Sequence, residues 1–196
     1  KTFVASAKNL IEIVPELPRE ITPGKKIKVP VKLKNRSSTA MENIEIVVTA
    51  DIPNIAEPIT VTLKSQEEQQ KEITILVDPI VLSGTRKITI GAYEGEELRG
   101  SFVTEVFILP KDRIEEDREV KRGFLSSTTT ITRENKGNTI SEQRVEARYN
   151  LIQRIFSSMI PQPETEWGKI VWKFTLEPGQ KKTIEIYANY RPLMYG

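Results

Sequence analysis

Thr22-Pro23-Gly24-Lys25-Lys26-Ile27-Lys28-Val29-Pro30-Val31-Lys32-Leu33-Lys34-Asn35 is a turn followed by an alternating run. Ile27, Val29, Val31 and Leu33 fall on one side, and Lys26, Lys28, Lys32 and Lys34 on the other. Side chains of a strand point alternately to opposite faces of its sheet, so the run predicts one dry face and one ionic face. Pro30 lacks an amide donor and sits on the charged side, which predicts an edge position or a bulge. The same grammar returns as Glu177-Pro178-Gly179-Gln180-Lys181-Lys182-Thr183-Ile184-Glu185-Ile186-Tyr187-Ala188-Asn189-Tyr190-Arg191. Two strands launched by Pro-Gly predict two copies of one kind of unit.

Between and after these anchors the chain is a succession of short β-branched runs. Leu10 to Val14 reads as an edge strand closed by Pro15. Asn43 to Thr49 places Ile44, Ile46 and Val48 inward, and a proline-marked loop follows at Ile52-Pro53-Asn54. Ile59 to Leu63, Ile73 to Val77, Lys87 to Tyr93 and Gly100 to Leu109 continue the pattern, with a hairpin turn at Glu94-Gly95-Glu96-Glu97. Short strands separated by turn signals predict a Greek-key sandwich. The nearly all-charged segment Pro110 to Glu119 cannot supply a core face. It is expected to be a linker.

Beyond it come Phe124 to Arg133, a tight turn at Asn135-Lys136-Gly137-Asn138, Arg144 to Tyr149, and Gly168 to Leu176 with Ile170, Trp172, Phe174 and Leu176 on one face. The expected organisation is all-β: a first Ig-like sandwich over 1–110, a charged linker over 111–119, and a second, smaller sandwich over 120–196. One stretch departs from period two. Leu151, Ile152, Ile155, Phe156, Met159 and Ile160 form a stripe of helical spacing before Pro161 and Pro163. A short helical insertion near 151–160 is therefore predicted.

Composition excludes several chemistries. A chain of 196 residues accommodates two sandwiches of roughly 90 to 100 residues each. It has no cysteine and no histidine, so disulfides, thiol catalysis, Cys/His zinc sites and a serine–histidine relay are ruled out within it. A net charge of +2 gives no argument for nucleic acid. No apolar run approaches the length that spans a bilayer. Lys, Arg and Glu dominate the polar residues, a composition compatible with a thermophile.

Pro23-Gly24-Lys25, the strand ending Leu33-Lys34-Asn35, and Glu42-Asn43-Ile44-Glu45-Ile46 together resemble the Ig-like domains of archaeal and bacterial cell-surface proteins. These are the CARDB-type and S-layer-type modules and the alpha-galactosidase-associated module. Lys71 to Val77, Ser83-Gly84-Thr85 and Lys87 to Tyr93 match their later pieces. Ser65-Gln66-Glu67-Glu68 stands where a second Pro-Gly is usual, and Arg36-Ser37 where a glycine is usual. Glu134 to Asn138 with Leu176 to Gly179 looks like a truncated member of the same superfamily. The resemblance implies an envelope-associated ectodomain, and it implies a membrane anchor beyond an ending such as Asn189-Tyr190-Arg191-Pro192-Leu193.

No phosphate-cradling loop or Gly-x-Ser-x-Gly elbow is present. Asp112, Glu115, Glu116 and Asp117 lack the convergent spacing of a calcium loop. The expectation is a non-catalytic extracellular structural or adhesion module without a cofactor or metal. Its partner would be a protein, a second copy or a membrane surface, met through Leu151, Ile152, Ile155, Phe156, Met159 and Ile160. Asn35-Arg36-Ser37 is a candidate N-glycosylation sequon. The alternatives are a carbohydrate-binding accessory module, with Trp167 stacking on sugar beside Trp172, Tyr187 and Tyr190, or an intracellular scaffold.

Overall fold

The computed structural model describes residues 9–52, 55–148, 151–167 and 169–194. Pro53, Asn54, Tyr149 and Gly168, which the sequence reading placed in loops and strands, lie outside them. The chain divides between Leu109 and Pro110 into two compact units, each an Ig-like β-sandwich. The first unit contains β1 (Ile11–Pro15), β2 (Glu20–Ile21), β3 (Lys26–Asn35), β4 (Met41–Ala50), β5 (Ile59–Leu63), β6 (Glu68–Leu76), β7 (Gly84–Glu94) and β8 (Glu97–Ile108). One sheet has the order β1-β3-β6 and the other β2-β8-β7-β4-β5. The chain crosses between sheets after β1, β2, β3, β5 and β6, in the manner of a Greek-key sandwich.

The alternation in the sequence is the reason for the core. Val29, Val31 and Leu33 of β3 meet Ile44, Ile46 and Val48 of β4 and Ile88 and Ile90 of β7 in one buried cluster. Each fully buried branched side chain contributes about 1.5–3 kcal/mol of transfer free energy. Gly95, at φ 62, turns the β7–β8 hairpin with Glu94 opposite Glu97. Gly100 is required by proximity: a Cβ there would lie 2.1 Å from the carbonyl oxygen of Ile11, where β1 leans on β8.

Pro30 is not on an edge strand, since β3 is the centre of its sheet. β1 leaves the ladder at Pro15, opposite Val31, and the last bond runs from the Glu16 amide to the Pro30 carbonyl at 2.8 Å. A strand residue's N–H and C=O point to the same neighbour, so the missing donor faces the place where β1 ends.

The second unit contains β9 (Ile114–Gly123), β10 (Ser126–Asn135), β11 (Ser141–Ala147), α1 (Leu151–Ile155), β12 (Ser157–Ile160), β13 (Glu164–Glu166), β14 (Lys169–Leu176) and β15 (Lys181–Asn189), then a 3-10 turn at Arg191–Met194. Its sheets have the orders β12-β15-β10-β9 and β11-β14-β13. Ile131, Val145, Met159, Ile170, Trp172, Ile184 and Ile186 form its smaller core.

Three expectations are corrected here. The charged segment 111–119 is largely strand, because β9 pairs with β10 from Ile114–Asn135 to Gly123–Ser126. An edge strand with both faces in water needs no apolar side, and β10 supplies its hydrogen bonds. The predicted helix is a single turn over Leu151–Ile155, and Ser157–Ile160 adds to the free edge of β15. One isolated turn is unfavourable, whereas an unpaired strand edge offers backbone partners at once. Asn135-Lys136-Gly137-Asn138 is a crossover between sheets, not a tight hairpin. Gly137 is needed because a Cβ would lie 2.2 Å from the Lys111 carbonyl oxygen and 2.7 Å from the Arg113 amide nitrogen.

The two units share one frame, anchored on Asn35 and Asn135 rather than on the two Pro-Gly turns. The Asn35 side-chain amide donates to the carbonyls of Thr39 (2.8 Å), Leu63 (3.3 Å) and Lys64 (2.9 Å), while its oxygen accepts from the Ser37 amide (2.8 Å). The Asn135 amide donates to Thr139 (2.7 Å) and Leu176 (3.0 Å), and its oxygen accepts from the Gly137 amide (3.0 Å). The registers agree as well. Asn35 lies opposite Ile11 and Asn135 opposite Ile114, while Met41 faces Leu63 as Ser141 faces Leu176. Strands β1, β3, β4, β5 and β6 thus correspond to β9, β10, β11, β14 and β15. The Pro23-Gly24 strand is β3 and the Pro178-Gly179 strand is the counterpart of β6, so those two turns are not equivalent.

Among the described residues of the second unit nothing corresponds to β7 and β8. The flank those strands would cover is polar. Where the first unit buries Leu33 and Ile44, the second has Arg133 and Gln143, and where it has Ile13, the second has Glu116. The Arg133 guanidinium donates to Glu116 (2.7 Å), to the Gln143 oxygen (2.9 Å) and to the Arg144 carbonyl (3.2 Å). It satisfies part of the open edge of β11 in place of a strand.

Candidate functional site at the loop end of the second unit

The six residues of the predicted helical stripe do not form one patch. Met159 points inward and is buried, and Ile160 points outward at the far end of β12, opposite Glu185. Phe156 is half-buried, its ring centroid 6.4 Å from that of Tyr190. Ile155 is exposed at the end of α1. The side chains of Leu151 and Ile152 lie outside the described residues. Asn35 is fully buried with its amide nitrogen on three carbonyls, so it is a structural anchor and not a glycan acceptor in the folded protein. The aromatic platform for sugar does not assemble either. Trp172 is buried and donates to the Pro161 carbonyl (2.8 Å), Tyr190 packs on Phe156, and Tyr187 belongs to the opposite sheet from Trp167.

What the fold does bring together is a set of loop residues from four separate segments at one end of this sandwich. Strands β9 and β15 end there, β10 and β12 begin there, and β11 and the β13–β14 hairpin reach the same end in the other sheet. The Tyr190 amide donates to the Leu125 carbonyl (2.8 Å) and the Asn189 amide to Phe156 (2.8 Å). Arg191 Nε donates to the Phe124 carbonyl (3.3 Å), and Arg154 to the Thr165 hydroxyl (3.1 Å) beside the Trp167 turn. Leu125 and Trp167 take positive φ, 54° and 49°, at the β9–β10 turn and at the end of β13.

Among the described residues, three large apolar side chains are left in solvent at this end: Phe124 at 74%, Ile155 at 67%, and Trp167 without cover. Arg122, Arg148, Arg154 and Arg191 are exposed around them, and among the described residues none is paired with a carboxylate. The segments 122–125, 148–156, 167–168 and 190–196 contain no Asp or Glu.

Elsewhere in the unit many ionic residues of either sign are paired, while Asp117, Arg118, Glu142, Lys182 and Glu185 stand in solvent. On the outer face of β11, β14 and β13, Glu146 meets Lys169 and Arg144, each at 2.8 Å, and Arg144 also meets Glu166 at 2.9 Å. Lys169, and then Arg144, hold the Glu146 carboxyl down at about 2. Lys173 lowers Glu166, and Lys136 lowers Glu115. These carboxylates are held ionised, Glu146 in solvent and Glu115 and Glu166 half-buried, the opposite of a proton donor whose pKa is raised by burial. Among the described residues no group of three or more acidic side chains could hold a metal ion. No helix there is long and apolar enough to cross a membrane.

No family model matches the chain, and none of the curated proteins matches it. Among solved structures, a protein of unknown function from Porphyromonas gingivalis W83 aligns with 95% of this chain and 86% of its own, at 11% identity and TM-score 0.31. A Salmonella alpha-2-macroglobulin mutant aligns with 94% of this chain at 13% identity and TM-score 0.38, and the chain spans 14% of its length. Neither likeness bears on activity or partners.

Proposed function

We propose that this chain is a non-catalytic structural module of an envelope-associated protein, used for spacing or adhesion. The observation that supports the reading most is the frame built twice. Both units hang five strands on a buried asparagine and turn ionic faces outward, and such tandem repetition suits a spacer. The CARDB-like and S-layer-like turn grammar agrees with this role, and an anchor beyond the chain would complete it.

Labelling intact cells of the source organism with a membrane-impermeant amine reagent tests the location. Lys28, Lys71 and Lys182 are exposed and should be modified without lysis. Modification that appears only after lysis would overturn the envelope reading.

A further inference from the structure

We infer that the loop end of the second unit docks on an anionic lipid surface, with Phe124, Ile155 and Trp167 entering the headgroup region and Arg122, Arg148, Arg154 and Arg191 meeting lipid phosphates. This goes beyond the spacer reading and does not depend on it, since either face of a membrane would serve. The argument begins with what the tip leaves in water. Large apolar side chains on a soluble sandwich are normally scattered singly. Here Phe124, Ile155 and Trp167 come from three separate loops to one end, and each is more than half exposed.

Charge decides between occupants. The same segments carry four arginines and no carboxylate, and Glu166, just before Trp167, is neutralised by ion pairs with Arg144 and Lys173. A protein interface core is depleted of charge and usually offers mixed signs at its rim. An aromatic and aliphatic tip ringed by cations of one sign fits an interface whose own charge is uniformly negative. A single-stranded nucleic acid would need a groove to follow, and these residues project from loop tips. Trp167 supplies the amphipathic indole that membrane interfaces favour. The opposite end, where the chain enters this unit, mixes signs, with Asp112, Glu134 and Glu177 beside Lys111, Arg113 and Lys136.

The protein carries its own reporter. It has two tryptophans, of which Trp172 is buried and Trp167 is exposed. The whole chain is mixed with phosphatidylglycerol–phosphatidylcholine vesicles and with pure phosphatidylcholine vesicles, then followed by co-sedimentation and tryptophan emission. Binding to the anionic vesicles alone is expected, weakened by salt, with a blue shift of emission that Trp167→Phe removes. Electrostatic attraction near an anionic leaflet gives roughly a five-fold change in partitioning per arginine, so Arg122→Ser with Arg148→Ser should weaken binding about 25-fold. Phe124→Ser should weaken it independently. These side chains are exposed, and an unchanged near-ultraviolet circular dichroism spectrum checks that the variants are folded.

Absence of binding, equal binding to both vesicles, or binding that the arginine pair does not alter would overturn the inference. Self-association that Phe124→Ser abolishes, without vesicle binding, would assign the tip to a second copy instead.

Discussion

Replacing Asn135 by alanine should remove three hydrogen bonds from the second unit at one stroke. Its amide serves the Thr139 and Leu176 carbonyls, and its oxygen fixes the Gly137 amide. Hydrogen bonds of this kind contribute about 1 kcal/mol each, and an orphaned buried group loses more, so the expected cost is about 3 kcal/mol. For a unit of this size each kcal/mol corresponds to about 4–8 °C of melting temperature, giving a fall of about 12–24 °C. Both tryptophans lie in the second unit and Trp172 is buried, so tryptophan emission during urea or thermal unfolding reads that unit alone. Asn135→Asp is the sharper variant. It keeps the shape but sets a carboxylate oxygen against two carbonyls, and should cost more than alanine. An alanine variant within about 1 kcal/mol of the parent, or an aspartate variant as stable as the parent, would refute the anchoring role.

Acidification should weaken the second unit through its paired carboxylates. Glu146 has its folded pKa lowered from 4.5 to about 2, so its contribution is complete above the unfolded value and is lost as pH falls through about 2. The urea midpoint by tryptophan emission should fall over that window, less steeply in Glu146→Gln; a flat profile would contradict the pairing. Lys173 and Lys136 are raised, so their contributions hold below 10.5 and disappear as pH rises through their folded values. Arg133→Ala should cost about 1.5–3 kcal/mol through its charged hydrogen bonds. It should also uncover the β11 edge, seen as concentration-dependent aggregation in light scattering. Aggregation equal to that of the parent would show that the guanidinium does not guard the edge.

The strands of the first unit were legible because each buries one face against a single core. Val29, Val31 and Leu33, or Ile44, Ile46 and Val48, can satisfy that condition in only one alternation. The candidate site was less legible. The helical stripe at 151–160 has the spacing of a helix, yet the unpaired edge of β15 recruits Ser157–Ile160 and sends Met159 into the core. Asn35 matches a sequon, but its amide is already engaged by carbonyls of two other segments, Thr39 beside it and Leu63 and Lys64 beyond β4. A local motif does not contain those partners.

Composition and period two fix an all-β chain with two sandwich units and without thiol or imidazole chemistry, because alternation and side-chain inventory are properties of neighbours along the chain. The pairing of β9 with β10, the exchange of an apolar flank for Arg133, Glu116 and Gln143, and the cationic apolar tip have another origin. Except for the β9–β10 hairpin, whose strands are neighbours in sequence, they depend on residues farther apart in the chain, as the pairing of β12 with β15 does. Their distances are set by strand registers and loop paths. Arg122, Arg148, Arg154 and Arg191 are unremarkable one by one, and their common field exists because three separate segments bring them to the same end.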